Sequence, residues 1–308
     1  MNDFKHVSVQ KDNAIQLLNI KPNGIYVDCT FGRGGHSIEI LKKLNESGKL
    51  ISIDKDIEAF NYYKSNFEKH DNHLFVHDTF SNLEKILDSL NINFVDGFLF
   101  DFGVSSPMFD DGSRGFSYKS EGPLDMRMDQ RQKIDAKFII NNYSDKELAM
   151  LFKKYGDIKN PYYVVKEIIK SRSDKPILTT IDLVNIIRKS VSIKELNKKK
   201  HFARQYFQAI RIEVNNELYE IQKAIIAALK RLNSKGRIVT ISFHSLEEKE
   251  VKKAFKSILN HEYPKELPVN NIKNEYKIIN IKDKWATDDE IQKNHRARSS
   301  LLKVIERN

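Results

Sequence analysis

Through its first hundred residues the chain alternates short apolar runs with stretches whose apolar positions recur at helical spacing. Residues 24–28, 49–54, 72–76 and 95–101 predict four strands, and residues 35–44, 57–69 and 81–90 predict the helices that follow the first three. The strand runs are almost continuously apolar and do not alternate strictly, the pattern of parallel strands covered on both faces. Strand and helix in turn predict an α/β fold with a doubly wound, Rossmann-like sheet.

After Asp101 the pattern changes. Residues 102–128 read as loop, punctuated by Gly103, Pro107, Gly112, Gly115, Gly122 and Pro123. Helical periodicity then returns at 135–141, 144–155, 161–171 and 179–190, with no strand expected between 129 and 204. Ser144 and Glu147 fit a capping box, Pro161 suits a first helical turn and Thr179 a cap. A long helix over 205–232 leads into a strand at 236–242, and the polar stretch 260–289, with Pro264 and Pro268, reads as a loop excursion. The simplest organisation is an α/β domain made of residues 1–110 and 205–308, interrupted by an all-helical insertion at 111–204.

Composition narrows the class. Of 308 residues, 40% are hydrophobic and 31% charged, enough apolar material for a core without any run near the roughly 18 residues that a membrane helix requires. The first residues lack the basic-then-apolar pattern of an export signal. The single cysteine, Cys29, excludes an internal disulfide framework and suits a reducing, cytoplasmic setting. The net charge is +10, and residues 111–204 hold 21 Lys and Arg against 12 Asp and Glu, so the insertion carries nearly all of it. Such a distribution favours a polyanionic partner over a small molecule, and solvated helix faces are the bland alternative.

The most informative local signal is Asp28-Cys29-Thr30-Phe31-Gly32-Arg33-Gly34-Gly35-His36, between a predicted strand and a predicted helix. Glycines there let backbone approach a ligand at a helix N-terminus, and Asp54, ending the next strand, suits ribose hydroxyls. A dinucleotide or S-adenosylmethionine (SAM) fits this frame. The dinucleotide fingerprint asks for glycine three residues after Gly34, where Ser37 stands, and Asp28 is awkward for pyrophosphate but useful near an ammonium, so SAM is favoured. The fourth strand ends in Asp101-Phe102-Gly103-Val104-Ser105-Ser106-Pro107, at the sheet edge where chemistry is expected. His73 and His77 are four apart, but the residues between them read as strand, and no metal site is expected. Cys29 lies inside the cofactor turn and reads as a small core residue.

Several of these runs together resemble one family. Thr30 to Ser37, Asp101 to Pro107, Arg114-Gly115-Phe116-Ser117, Gly122 to Met128, Phe207 to Ile212, Ser242 to Glu247 and Arg296-Ala297-Arg298-Ser299-Ser300 are similar to the MraW family, bacterial small-subunit (16S) ribosomal RNA (cytosine-N4)-methyltransferases, in order from His6 onward. The resemblance implies a SAM-dependent enzyme with a helical domain inserted in the α/β fold. Its SAM contacts fall on Gly34, Gly35, His36, Asp54, Phe80 and Asp101. A further contact, usually glutamine, falls on Met108, which leaves side-chain packing or a backbone contact open. A cytosine amine is a poor nucleophile, so Asp101 and the Ser105-Ser106-Pro107 segment are the candidates to orient it and accept its hydrogen. Lys198, Lys199, Lys200, Arg204, His244, Arg296 and Arg298 are the candidates to hold RNA. The partner implied is 16S ribosomal RNA, within the small subunit, with no membrane; a homodimer is left open. A non-catalytic RNA-binding assembly factor and a methyltransferase for another substrate are the competing readings.

Overall fold

The computed structural model describes residues 8–67, 70–259 and 275–308. The chain start with His6, the end of the helix expected to reach Lys69, and residues 260–274 of the expected loop excursion lie outside the described residues. The described chain forms two compact units, one of residues 1–103 and 218–308, the other of 104–217.

The first unit is built on a seven-stranded sheet. Its strands are β1 Ile25–Asp28, β2 Lys49–Asp54, β3 His73–His77, β4 Val95–Asp101, β5 Leu232–Ser242, β6 Tyr276–Ile279 and β7 Leu301–Arg307, in the order β3-β2-β1-β4-β5-β7-β6. The first five strands run parallel, and β7 is antiparallel to both β5 and β6. Successive side chains of a strand point to opposite faces, and here both faces are covered. Phe98 and Phe100 pack with Leu83, Leu87, Ile225 and Phe255, while Leu99 between them packs with Leu18, Ile40 and Val239 on the other side. That double burial is why the strands read as unbroken apolar runs. The fold is a Rossmann-like α/β sheet.

Three elements depart from expectation. The helix expected over 205–232 is two helices, Arg204–Asn215 and Glu217–Lys230, parted at Asn216, whose φ of 48° is left-handed. Asn tolerates that conformation without glycine or proline, so the break left no strong mark in the sequence. β5 begins at Leu232, ahead of the strand expected from residue 236. Tyr276–Ile279, in the stretch read as loop, pairs with β7 as an edge strand. Its mostly exposed, lysine-bearing pattern hides it from a hydrophobic reading.

The second unit is helical. Residues 104–110 and 205–217 join the expected insertion in it, and its helices include Asp145–Gly156, Tyr162–Asp174, Thr180–Ser190 and Arg204–Asn215. Among the described residues it holds no strand, only an isolated bridge between Pro123 and Thr179. Both Ser144 with Glu147 and Thr179 with Asp182 form full capping boxes. The glycine-rich loop is locked internally. Asp125 takes Arg127 in a bidentate pair at 2.6 and 2.8 Å, and buried Arg114 donates to the carbonyls of Arg127 and Met128. The Asn215 amide donates to the Met126 carbonyl while its oxygen accepts the Met128 N–H at 2.7 Å. Two of the recognisable runs, at 114–117 and 122–128, thus build the unit's own interior.

Candidate active site

In a parallel sheet, ligands gather outside the carboxyl ends of strands where the strand order reverses. Here that point is between β1 and β4, whose last residues are Asp28 and Asp101. Asp54 ends the neighbouring β2, so three carboxylates stand at one edge.

Each carboxylate has a different task. Asp28 is fully buried; its oxygens accept the Thr30 N–H at 3.1 Å and the Ser37 hydroxyl at 2.7 Å. Ser37 continues to Ser52, and Ser52 to His73, each within 2.9 Å. Burial raises the Asp28 pKa to about 6 despite those donors, and pushes His73 down to about 4. Asp28 therefore knits the turn to β2 and β3 from beneath. Asp54 accepts the Gly32 N–H at 2.8 Å and the Asp56 N–H at 2.9 Å, and burial raises its pKa to about 6. Each of its oxygens keeps a lone pair, which fits a ribose hydroxyl.

The glycine turn closes tightly on the protein itself. Gly34 has φ +73°, and a Cβ there would fall 2.1 Å from the Phe67 ring; at Gly35 it would fall 2.1 Å from the Ser8 hydroxyl. His36 is buried, and because a carbonyl only accepts, its Nε2 carries the proton donated to Val9 at 3.2 Å. Its Nδ1 faces Asp101 Oδ2 at 3.9 Å. Phe80 stands edge-on to Phe100 and Phe102 at 6.0 and 6.1 Å, with the Lys55 ammonium 6.0 Å from its ring centre.

Asp101 is the exception among the three acids. Its Oδ1 is buried with no hydrogen-bond partner among the described residues. Burial, reinforced by the charges of Asp28, Glu247 and Glu290, pushes its carboxyl well above the ordinary range. An edge that crowds acids around an unsatisfied carboxylate suits a cation. SAM, with a sulfonium and an ammonium, fits it; a pyrophosphate does not.

Sequence comparison identifies the family. Residues 3–308 match the model of the MraW methylase family. The chain belongs to the MraW methylase family. It is 57% identical over 307 residues to a ribosomal RNA small subunit methyltransferase H of Malacoplasma penetrans, covering 100% of this chain and 98% of the relative. A Ureaplasma parvum protein of the same name is 50% identical over 304 residues, covering 99% and 98%. One from Halothermothrix orenii is 45% identical over 307 residues, covering 99% of each. An rRNA methylase structure from Streptococcus thermophilus superposes with a TM-score of 0.40 at 11% identity over 96% of this chain and 93% of that one, too distant to add weight. As an MraW-family methylase the chain uses SAM as its methyl donor.

The remaining candidates are dispersed. In the helical unit, Ser105 precedes the short helix Ser106–Asp110 with Pro107 in its first turn, and Met108 is 5% exposed, packed in that unit's apolar core with Phe116 and Leu124. Lys198, Lys199, Lys200 and Arg204 are exposed, with Lys198 paired to Glu195 at 2.5 Å. In the sheet unit, His244 follows β5 and contacts Glu247 at 3.1 Å. Arg296 and Arg298 are exposed on a short turn whose Asn294 accepts the Arg296 N–H. Glu247 escaped sequence reasoning. Its carboxylate accepts the Phe243 N–H at 2.6 Å and shapes the end of β5, a role with no signal beyond its place in the Ser242–Glu247 run.

Proposed function

We propose that this protein methylates the exocyclic N4 of a cytosine in 16S ribosomal RNA, as a decoding-site modification made on the small subunit in the cytoplasm. The observation that carries the reading is the buried, unpartnered Asp101 oxygen at the end of β4, in a chain 57% identical to a ribosomal RNA small subunit methyltransferase.

SAM supplies a methyl on a positively charged sulfur, which leaves as a neutral thioether. The protein's own work is at the amine. The lone pair of a cytosine amine is delocalised into the ring, and an acceptor for one N–H makes it available as the new N–C bond forms. Asp101 serves as that acceptor. His36, held by Val9 through its Nε2–H, keeps its Nδ1 3.9 Å from Asp101, beyond hydrogen-bond reach. No enzyme nucleophile is needed, and Cys29 is buried with its thiol pKa raised by burial, in keeping with a packing role. Lys199, Lys200 and Arg204, and in the sheet unit Arg296 and Arg298, supply phosphate contacts that position the strand, whereas Lys198 is held by Glu195 and both ring nitrogens of His244 by Glu247.

The test is nucleoside mass spectrometry of 16S RNA after incubating purified protein with SAM and undermethylated small subunits, or with naked RNA. N4-methylcytidine is expected at one position. Methylation at carbon 5, or at no base, overturns the reading; RNA binding without transfer would favour an assembly factor.

A further inference from the structure

Within the helical unit, helices Asp145–Gly156 and Tyr162–Asp174 enclose a groove of about 520 Å³. Ala149, Val165 and Ile169 contribute to its apolar lining, and Lys146, Lys153, Lys166 and Lys170 stand around it. Asp145 is the one carboxylate that lines it, and that group is taken up by the neighbouring Lys146 N–H at 2.8 Å. None of the four lysines pairs with a carboxylate among the described residues, whereas Lys137 and Lys198 of the same unit pair with Asp135 and Glu195. Ordinary solvated helix faces interleave charges of both signs; this one does not. Asn160, Pro161 and Tyr162 bring the N-terminal, positive end of a 13-residue helix to the same groove. Tyr162 is 61% exposed and Tyr163 65%, their rings edge to face at 5.7 Å. Two bare tyrosines at a helix start add nothing to the unit's core.

We propose that this groove is a second RNA-binding site, in which the lysines hold the phosphodiester backbone of a single-stranded segment and Tyr162 stacks one of its bases. The inference rests on the ribosomal RNA reading above and concerns residues separate from the Lys198–Lys200 run. Lysines without acidic partners fit a polyanion, and an exposed aromatic ring beside an apolar floor fits a base in a way that a free anion would leave unused.

The experiment measures binding of a 16S RNA fragment across a range of salt concentrations, for the full chain and for Lys153→Gln/Lys166→Gln, one lysine from each wall. Each lost contact to a single strand flattens the slope of log K against log salt by about 0.7, so the double variant should lose about 1.4. Lys153→Arg/Lys166→Arg should restore it. Tyr162→Ala should weaken binding about tenfold with the slope kept. An unchanged slope with an unchanged circular dichroism spectrum overturns the groove. Normal binding to naked RNA with weakened binding to assembled subunits also overturns it, in favour of a protein occupant. Failure of the unaltered protein to bind RNA at all overturns the ribosomal RNA reading instead.

Discussion

The Asp54 carboxylate accepts the N–H of Gly32 at 2.8 Å, so the acid that ends β2 holds the shape of the glycine turn that follows β1. The residue best placed for ribose is therefore also part of the turn's frame, and the two roles are not separable by deletion.

Asp54→Ala should accordingly lose SAM affinity and stability together. It removes acceptors from the Gly32 and Asp56 N–H groups, and hydrogen bonds to a charged group are worth about 1.5–3 kcal/mol each. Denaturant unfolding should show a loss of about 2–3 kcal/mol, and calorimetry at least a tenfold weaker SAM affinity. Unchanged SAM affinity would remove Asp54 from the binding site.

On the proposed site, SAM binding should depend on pH through Asp101. Its folded carboxyl is protonated above the ordinary range, and a bound cation favours the ionised form. Binding should therefore release a proton, and affinity should rise with pH until the free protein's Asp101 is ionised. Calorimetry in buffers of different ionisation enthalpy detects the proton. Asp101→Asn should abolish the release and slow transfer by about 100-fold or more. Binding with no proton released would exclude the carboxylate from the cation's surroundings.

Asp28 should weaken the fold as pH rises. Its pKa is about 6 folded and 3.8 ordinarily, so the folded state holds the proton more tightly. The stability this contributes is complete below 3.8 and is lost as pH climbs through 6, a span worth about 3 kcal/mol. Asp28→Asn keeps an acceptor for Thr30 and a partner for Ser37 without a charge to bury. Measured against the unaltered protein, its relative stability should improve by about 2.4 kcal/mol between pH 4 and pH 7.5. A difference that does not vary with pH would refute the assignment.

The lysine run provides a test in the helical unit. Lys198 already neutralises Glu195, whereas Lys199 and Lys200 are exposed with no ion pair among the described residues. Replacing all three by glutamine should flatten the salt dependence of RNA binding by about 1.4, the share of two contacts, leaving SAM affinity unchanged. An unaltered slope would leave the run a solvated surface.

The sequence by itself determined the five parallel strands and the helical insertion. Strands buried on both faces must be apolar along their whole length, and helices must be apolar on one stripe, so each announces its period locally. Strands 49–54 and 95–101 coincide with β2 and β4 to the residue. The glycine turn, Asp54 and Asp101 were equally legible, because strand ends and turn chemistry are written in adjacent residues. Tertiary structure decided what those residues do. Its place before the glycine turn suits Asp28 to an ammonium, yet its oxygens are taken by Thr30 and Ser37 inside the protein. Met108 is core, and the edge strand Tyr276–Ile279 exists because β7 offers it a partner. The lone carboxylate oxygen of Asp101 and the unpaired lysines of the groove are visible only in three dimensions. Whether a charge is satisfied depends on neighbours distant in the chain, and no local pattern records them.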